Sequence, residues 1–238
     1  MSKKTIVLLF ITFGLITVST YAFYRFMIPN DFYTEEELLE EITHGTLDEE
    51  ILDIVQLDEK TYFVPFLSTE NSYSSSIWVW RFGKWQSVGT STASDPQIVT
   101  NNGNSYIYWN VHPRDEIHEW DFYLTSERSY TVANANSENP LEVYMPRIQV
   151  KHTIEVENES FGFVELPEKW EGIIRSFDLN PSDSEFLPTS HYYQFEWQAY
   201  NGIREAINLD YTFRNGGGGS YSGEYITHMQ QLNHDKLE

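Results

Sequence analysis

The chain has 238 residues and 27.9 kDa, with 40% hydrophobic and 21% charged side chains, a balance that fills a core and excludes a wholly disordered polymer. It contains no cysteine, which excludes disulfides, thiolate nucleophiles, thiolate metal sites and a lipid-modified cysteine. The formal net charge is -21; Lys3, Lys4 and Arg25 are the only charges before position 31, so the remainder carries 12 basic against 36 acidic side chains, or -24, a surface that disfavours nucleic acid and anionic headgroups as electrostatic partners.

Residues 5–23 form a run of 19 residues without a charge. At ~1.5 Å rise per residue a helix of that length covers ~28 Å, close to the hydrocarbon core of a bilayer. The run is expected to be a signal-anchor helix that crosses the membrane once. Lys3 and Lys4 then place residues 1–4 in the cytoplasm and the acidic remainder outside. Tyr21, Phe23, Tyr24 and Phe26 would sit at the headgroup level on the exit side. The alternative is secretion after signal cleavage near Ala22, where small residues stand at the spacing a peptidase reads. Both readings export the bulk of the chain, and a cysteine-free exported domain suits a bacterial surface better than a disulfide-supported secretory route.

Residues 24–59 are expected to form two short membrane-proximal helices. Thr34 and Glu37 make a capping box, with Leu38, Leu39 and Ile42 as the apolar stripe and Gly45 as the stop. Thr46 and Glu49 repeat the signature ahead of Ile51, Leu52, Ile54 and Val55. Residues 60–230 turn to period two and to Tyr, Trp, Phe, Val and Ile, which predicts strands at 61–67, 77–82, 85–90, 105–111, 118–125, 141–144, 148–156 and 161–166. Trp78 and Trp80 share one parity and Ile77 and Val79 the other, so their strand is expected to be central and buried on both faces. A helix is inserted after Pro167, with Trp170, Ile173, Ile174 and Phe177 on one face. The fold class that follows is mainly β: an antiparallel β-sandwich or barrel-like ectodomain with two short N-terminal helices and one inserted helix, preceded by the transmembrane helix. Residues 231–238 are expected to form a frayed tail.

Around Asn201 and Gly202 apolar residues occupy odd positions on both sides. A three-residue loop at 200–202 with Gly202 left-handed would pair Ala199 with Ile203, Phe195 with Ile207 and Tyr193 with Leu209, keeping one face apolar. The glycine run at 216–219 predicts a mobile loop.

Three groups of residues bear on chemistry. His112, Asp115 and His118 offer imidazole and carboxylate ligands for zinc or another divalent ion if a bend brings them together, although their spacing matches no known ligand pattern. Asp178, Asn180, Ser182, Asp183 and Glu185 alternate oxygens as in the opening of a calcium loop, but Asp183 stands where glycine is needed and Thr189 where glutamate closes the loop. Calcium is thus the cation such an acidic domain would take, and no other cofactor is indicated. Tyr106, Tyr108, Trp109, Trp120 and Tyr123 lie on neighbouring strands, where exposed rings would stack on sugars or grip a partner. No serine elbow or phosphate loop is present. The functional expectation is a membrane-anchored extracytoplasmic binding or interaction module for an envelope protein or glycan, without nucleic acid as partner. The alternative is an envelope hydrolase or a divalent-cation-binding enzyme.

Overall fold

In the computed structural model of the chain, the described residues are 3–43, 50–68, 71–133, 141–156, 159–178 and 193–233. They form three α-helices, α1 (Lys3–Met27), α2 (Glu35–Thr43) and α3 (Glu168–Asp178). The strands in chain order begin with β1 (Glu50–Ile51), β2 (Val55–Asp58), β3 (Thr61–Leu67), β4 (Tyr73–Arg81), β5 (Lys84–Thr92), β6 (Gln97–Asn101), β7 (Asn104–Asn110), β8 (Glu119–Ser126) and β9 (Ser129–Ala133). They continue with β10 (Leu141–Met145), β11 (Ile148–Glu155), β12 (Phe161–Glu165), β13 (Gln194–Tyr200), β14 (Ala206–Ile207), β15 (Gly218–Tyr221), β16 (Ile226–His228) and β17 (Gln230–Gln231). The fold is mainly β, and the strands pair antiparallel except for β17, which runs parallel to β13.

Three open sheets stack in layers. The first has the order β1-β3-β4-β5-β15 with β2 also on β3, the second β12-β7-β6-β16, and the third β11-β8-β13-β14. Strand parity assigns the faces, because successive side chains point to opposite sides. Phe63, Ile77, Val79 and Val88 of the first sheet meet Val99, Tyr106 and Tyr108 of the second. Ile98, Ile107 and Trp109, on the opposite face of the second sheet, meet Trp120, Phe122, Leu124 and Trp197 of the third, where Trp170 of α3 also packs. The outer face of the first sheet, with Val64, Phe66, Trp78, Trp80 and Trp85, is covered by Leu38 of α2 and by Phe32 and Tyr33 before it. Strand β4 is therefore central and buried on both faces, as its two apolar parities require.

The capping box forms at α2: Thr34 N–H donates to Glu37 Oε2 at 2.8 Å, and Glu37 N–H to Thr34 Oγ1 at 3.4 Å. The second short helix does not form over its described residues. Ile51 lies in β1 and Val55 in β2, paired with Phe66 and Phe63 of β3. Both are β-branched residues beside an open strand, and the ladder bonds there outweigh a two-turn helix with little burial of its own. Gly45, Thr46 and Glu49 lie outside the described residues.

Residues 5–23 belong to α1 throughout. Among the described residues no helix is long and apolar enough to cross a membrane, so the expected transmembrane helix is not established by the fold.

Two further expectations are corrected. The 194–207 hairpin pairs Ala199 with Ile207 and Tyr200 with Ala206, so the loop has five residues and Phe195 does not face Ile207. Phe195 is instead opposite Leu124 of β8. Asn201 Oδ1 accepts from the N–H of Ile203 at 3.1 Å and of Glu205 at 2.9 Å, and Arg204 rather than Gly202 is left-handed, at φ 62°. An Asx-stabilised loop satisfies its backbone better than the bulge the parity argument chose. The glycine run is a paired edge: Gly218 faces Thr92 and Gly219 faces Ser91 of β5. A Cβ on Gly217 would overlap the carbonyl oxygen of Ala93, so the absence of side chains admits the backbone instead of freeing it.

Candidate functional site

The five aromatic residues expected at a surface are in the interior. Tyr106, Tyr108, Trp109, Trp120 and Tyr123 are each at most 6% exposed; the first four lie between sheets, and Tyr123 is held by hydrogen bonds with Asp121 and Tyr200. They offer no stacking platform. All seven tryptophans of the chain are buried, so the indoles belong to the core.

His112, Asp115 and His118 are not brought together as ligands; among the described residues no cluster of three His, Asp or Glu could hold a metal ion. Asp115 is buried at the end of a single 3-10 turn, Pro113–Asp115. Its Oδ1 accepts from Tyr211 N–H at 2.8 Å, and its Oδ2 from Thr212 N–H at 3.0 Å and Thr212 Oγ1 at 2.6 Å. Thr212 Oγ1 in turn accepts from His112 N–H at 2.8 Å. The carboxylate is a clamp that joins the 112–116 turn to the 210–215 turn. His118 is exposed and lies beside Gly202. Of the calcium-like run, Asp178 ends α3 and the rest lies outside the described residues.

That clamp builds a cleft. Asn71, Tyr73, His112, Arg114, Tyr211 and Arg214 line a space of about 260 Å³, closed by Ser72, Thr212 and Asn215. The His112 ring stands edge-on to Tyr73 at 5.0 Å and tilted against Tyr211 at 5.8 Å, and the Arg114 guanidinium lies 6.0 Å from the Tyr211 ring. His112 Nδ1 accepts the Arg114 N–H at 3.0 Å, so in the neutral ring Nε2 carries the proton. Burial lowers the His112 pKa; Asp115 opposes this, while Arg114 and Arg214 reinforce it. Burial, then the charge of Glu50, raises the Tyr73 phenol.

None of the described lining residues is acidic, in a chain with 36 acids. Neither Arg114 nor Arg214 takes part in an ion pair among the described residues. The cleft thus gathers hydrogen-bond donors and positive charge, a set that receives a carboxylate or phosphate oxygen. Sequence reasoning singles out His112 but misses Tyr73, Tyr211 and Arg214, which lie roughly 40 to 100 positions away and carry no local signature.

A second polar cluster lies on the outward face of the third sheet. Asp121, 1% exposed, accepts from Lys151 Nζ at 3.0 Å, from Tyr123 Oη at 3.2 Å and from Thr153 Oγ1. Every partner there is satisfied within the protein, so the cluster reads as a tie between β8 and β11. No protein-family model, curated protein or solved structure matches this chain.

Proposed function

We propose that the chain is a membrane-anchored binding module that presents the Arg114–Arg214 cleft outside the membrane and takes up a carboxylate-bearing sugar of an envelope glycan there. The observation that carries this reading is that none of the described residues lining the cleft is acidic, within so acidic a molecule. Arg114 and Arg214 line one cleft of an otherwise acidic molecule, so a carboxylate gains most at this point. Tyr73 and Tyr211 supply ring faces and hydroxyls of the kind that meet a sugar's alternating apolar and polar surface.

The anchor is α1. Its described large apolar residues, among them Phe10, Phe13, Leu15, Val18, Tyr21 and Phe23, are all more than half exposed. A helix apolar all round is stable only in an apolar environment. Lys3 and Lys4 on one side of the uncharged run support an orientation with the cleft outside.

The test is calorimetric titration of the whole chain in lipid nanodiscs with oligosaccharides of a uronic acid and with their neutral methyl esters. The acid should bind at least tenfold more tightly, with an affinity that falls as salt rises, and Arg114→Ala with Arg214→Ala should abolish the difference. The His112 pKa should rise on binding, because the added negative charge offsets the two guanidiniums. Equal binding of acid and ester, or unchanged binding by the double variant, would refute the assignment.

A further inference from the structure

The segment between α1 and α2 is bonded to the first sheet along its length. Trp80 Nε1 donates to the Phe26 carbonyl at 3.0 Å and Trp85 Nε1 to the Asn30 carbonyl at 3.1 Å. Phe32 stacks on Tyr62 with ring centroids 3.9 Å apart and planes within 4°, and it meets Trp85 edge-on at 5.1 Å. Tyr33 meets Trp78 at 5.4 Å, and Leu38 of α2 is fully buried against the same face. Each indole N–H here satisfies a carbonyl at or just beyond the end of α1, where no further turn supplies a donor. The helix therefore leaves the sheet at a defined place and is not joined to it by a loose tether.

That place is the β4–β5 hairpin. Trp80 and Trp85 are cross-strand partners, and Arg81 and Lys84 are the next pair. The turn between them is Phe82 and Gly83, both left-handed, with φ 52° and 76°. A two-residue turn of this type favours Asn, Asp or Gly at its first position, and an aromatic residue there adopts a conformation that costs of order 1 kcal/mol or more. Phe82 gains no burial in return, since it is 71% exposed. Its ring meets the Arg81 guanidinium, which lies 4.7 Å from the ring centroid, also lies over Tyr225 and pairs with Glu224. A strained, exposed phenylalanine between two cations, beside the end of an apolar helix, is a poor turn for water and a good one for a lipid interface, where rings sit among headgroups and cations reach phosphate.

We propose that the Arg81–Lys84 turn is a second membrane contact, with Phe82 in the interfacial layer beside the exit of α1 and the exposed Lys84 at lipid phosphate, while Arg81 stays paired with Glu224 at 3.9 Å. The inference rests on the reading of α1 as a membrane anchor. The overall charge of the domain does not oppose it, because charge beyond ~10 Å is screened at physiological salt and the anchor already supplies proximity. Its consequence is orientation: two contacts set the β4–β5 turn end of the first sheet toward the bilayer.

The absence of native cysteine makes the test direct. The full chain carrying Phe82→Cys, Lys84→Cys or, as a distant control, Ile203→Cys (a residue 76% exposed) is labelled with an environment-sensitive fluorophore and reconstituted into phosphatidylcholine vesicles. Vesicles containing lipids spin-labelled near the headgroup are the quencher. Quenching at position 82 should be at least twofold stronger than at 203, with blue-shifted emission, and the position 84 label should be quenched as well. The position 84 label keeps Phe82 in place and so reports on a hairpin with its native turn. Adding Phe82→Asn, a residue that tolerates the left-handed turn, should reduce quenching at 84. Protein that floats with vesicles while the labels at 82 and 84 stay as water-exposed as the control would overturn the second contact and leave the anchor standing. Shielding that grows with protein concentration and is insensitive to the lipid quencher would mean a second copy covers the turn, which also overturns it. Failure to float would overturn both readings.

Discussion

Asp115 organises the cleft from beneath. It is 7% exposed and accepts three hydrogen bonds from residues 211 and 212. Removing it leaves two backbone donors without an acceptor next to a buried threonine, a loss of about 2–4 kcal/mol by the usual cost of orphaned groups. Asp115→Ala should lower the urea midpoint accordingly and loosen the 210–215 turn, seen as faster amide exchange at Tyr211 and Thr212. Asp115→Asn, which retains one acceptor oxygen, should recover part of the loss. A metal ligand on this surface would behave differently, giving little loss of stability in the absence of metal. The sequence makes Asp115 conspicuous as a carboxylate between two histidines. Its actual role depends on a turn that arrives almost a hundred residues later.

At the level of elements, close approach decides where glycine stands. Gly162 of β12 is opposite Trp109 of β7, and a Cβ on it would overlap the indole ring. Trp109 has no room to retreat, since it packs at 6.0 Å from Trp120 and 6.1 Å from Phe122. Gly162→Ala should therefore cost about 1–3 kcal/mol through overpacking, with a changed near-ultraviolet tryptophan signal. A loss below 0.5 kcal/mol would show that β12 shifts freely at its sheet edge. The alternation of burial along β11 and the capping box of α2 were legible in sequence, because each depends on residues two to four positions apart. The register of the 194–207 hairpin was not. Phe195 is held against Leu124, and the best partner of an apolar residue is set by which surface is nearest.

Over the whole molecule, the second sheet belongs to both principal cores. Ile107 faces the third sheet, whereas Tyr106 and Tyr108 on the same strand face the first. Asn110 of β7 also donates to the Ser74 carbonyl at 2.6 Å across to β4. Loss of the middle layer exposes an apolar face on each neighbour, so the β layers should unfold as one unit. Ile107→Ala, at a fully buried position, should cost about 2–5 kcal/mol. Tryptophan fluorescence, which reports on all three sheets and α3, and far-ultraviolet dichroism should give coincident denaturation curves in wild type and variant. Separate midpoints would mean that the layers are stable independently.

Composition by itself determined the acidity, the absence of thiol chemistry and the mainly β character, and local pattern determined α2, α3 and the central strands. These depend on short-range periodicity and on totals, which no later packing alters. Tertiary structure alone decided that Ile51 and Val55 extend a sheet, that the glycine run pairs as an edge, and that Trp109 and Trp120 are core. It also decided that His112 joins Tyr73, Tyr211 and Arg214 in one cleft. Each of these outcomes depends on a partner surface far away in the chain, and a residue's own neighbours carry no record of which surface arrives.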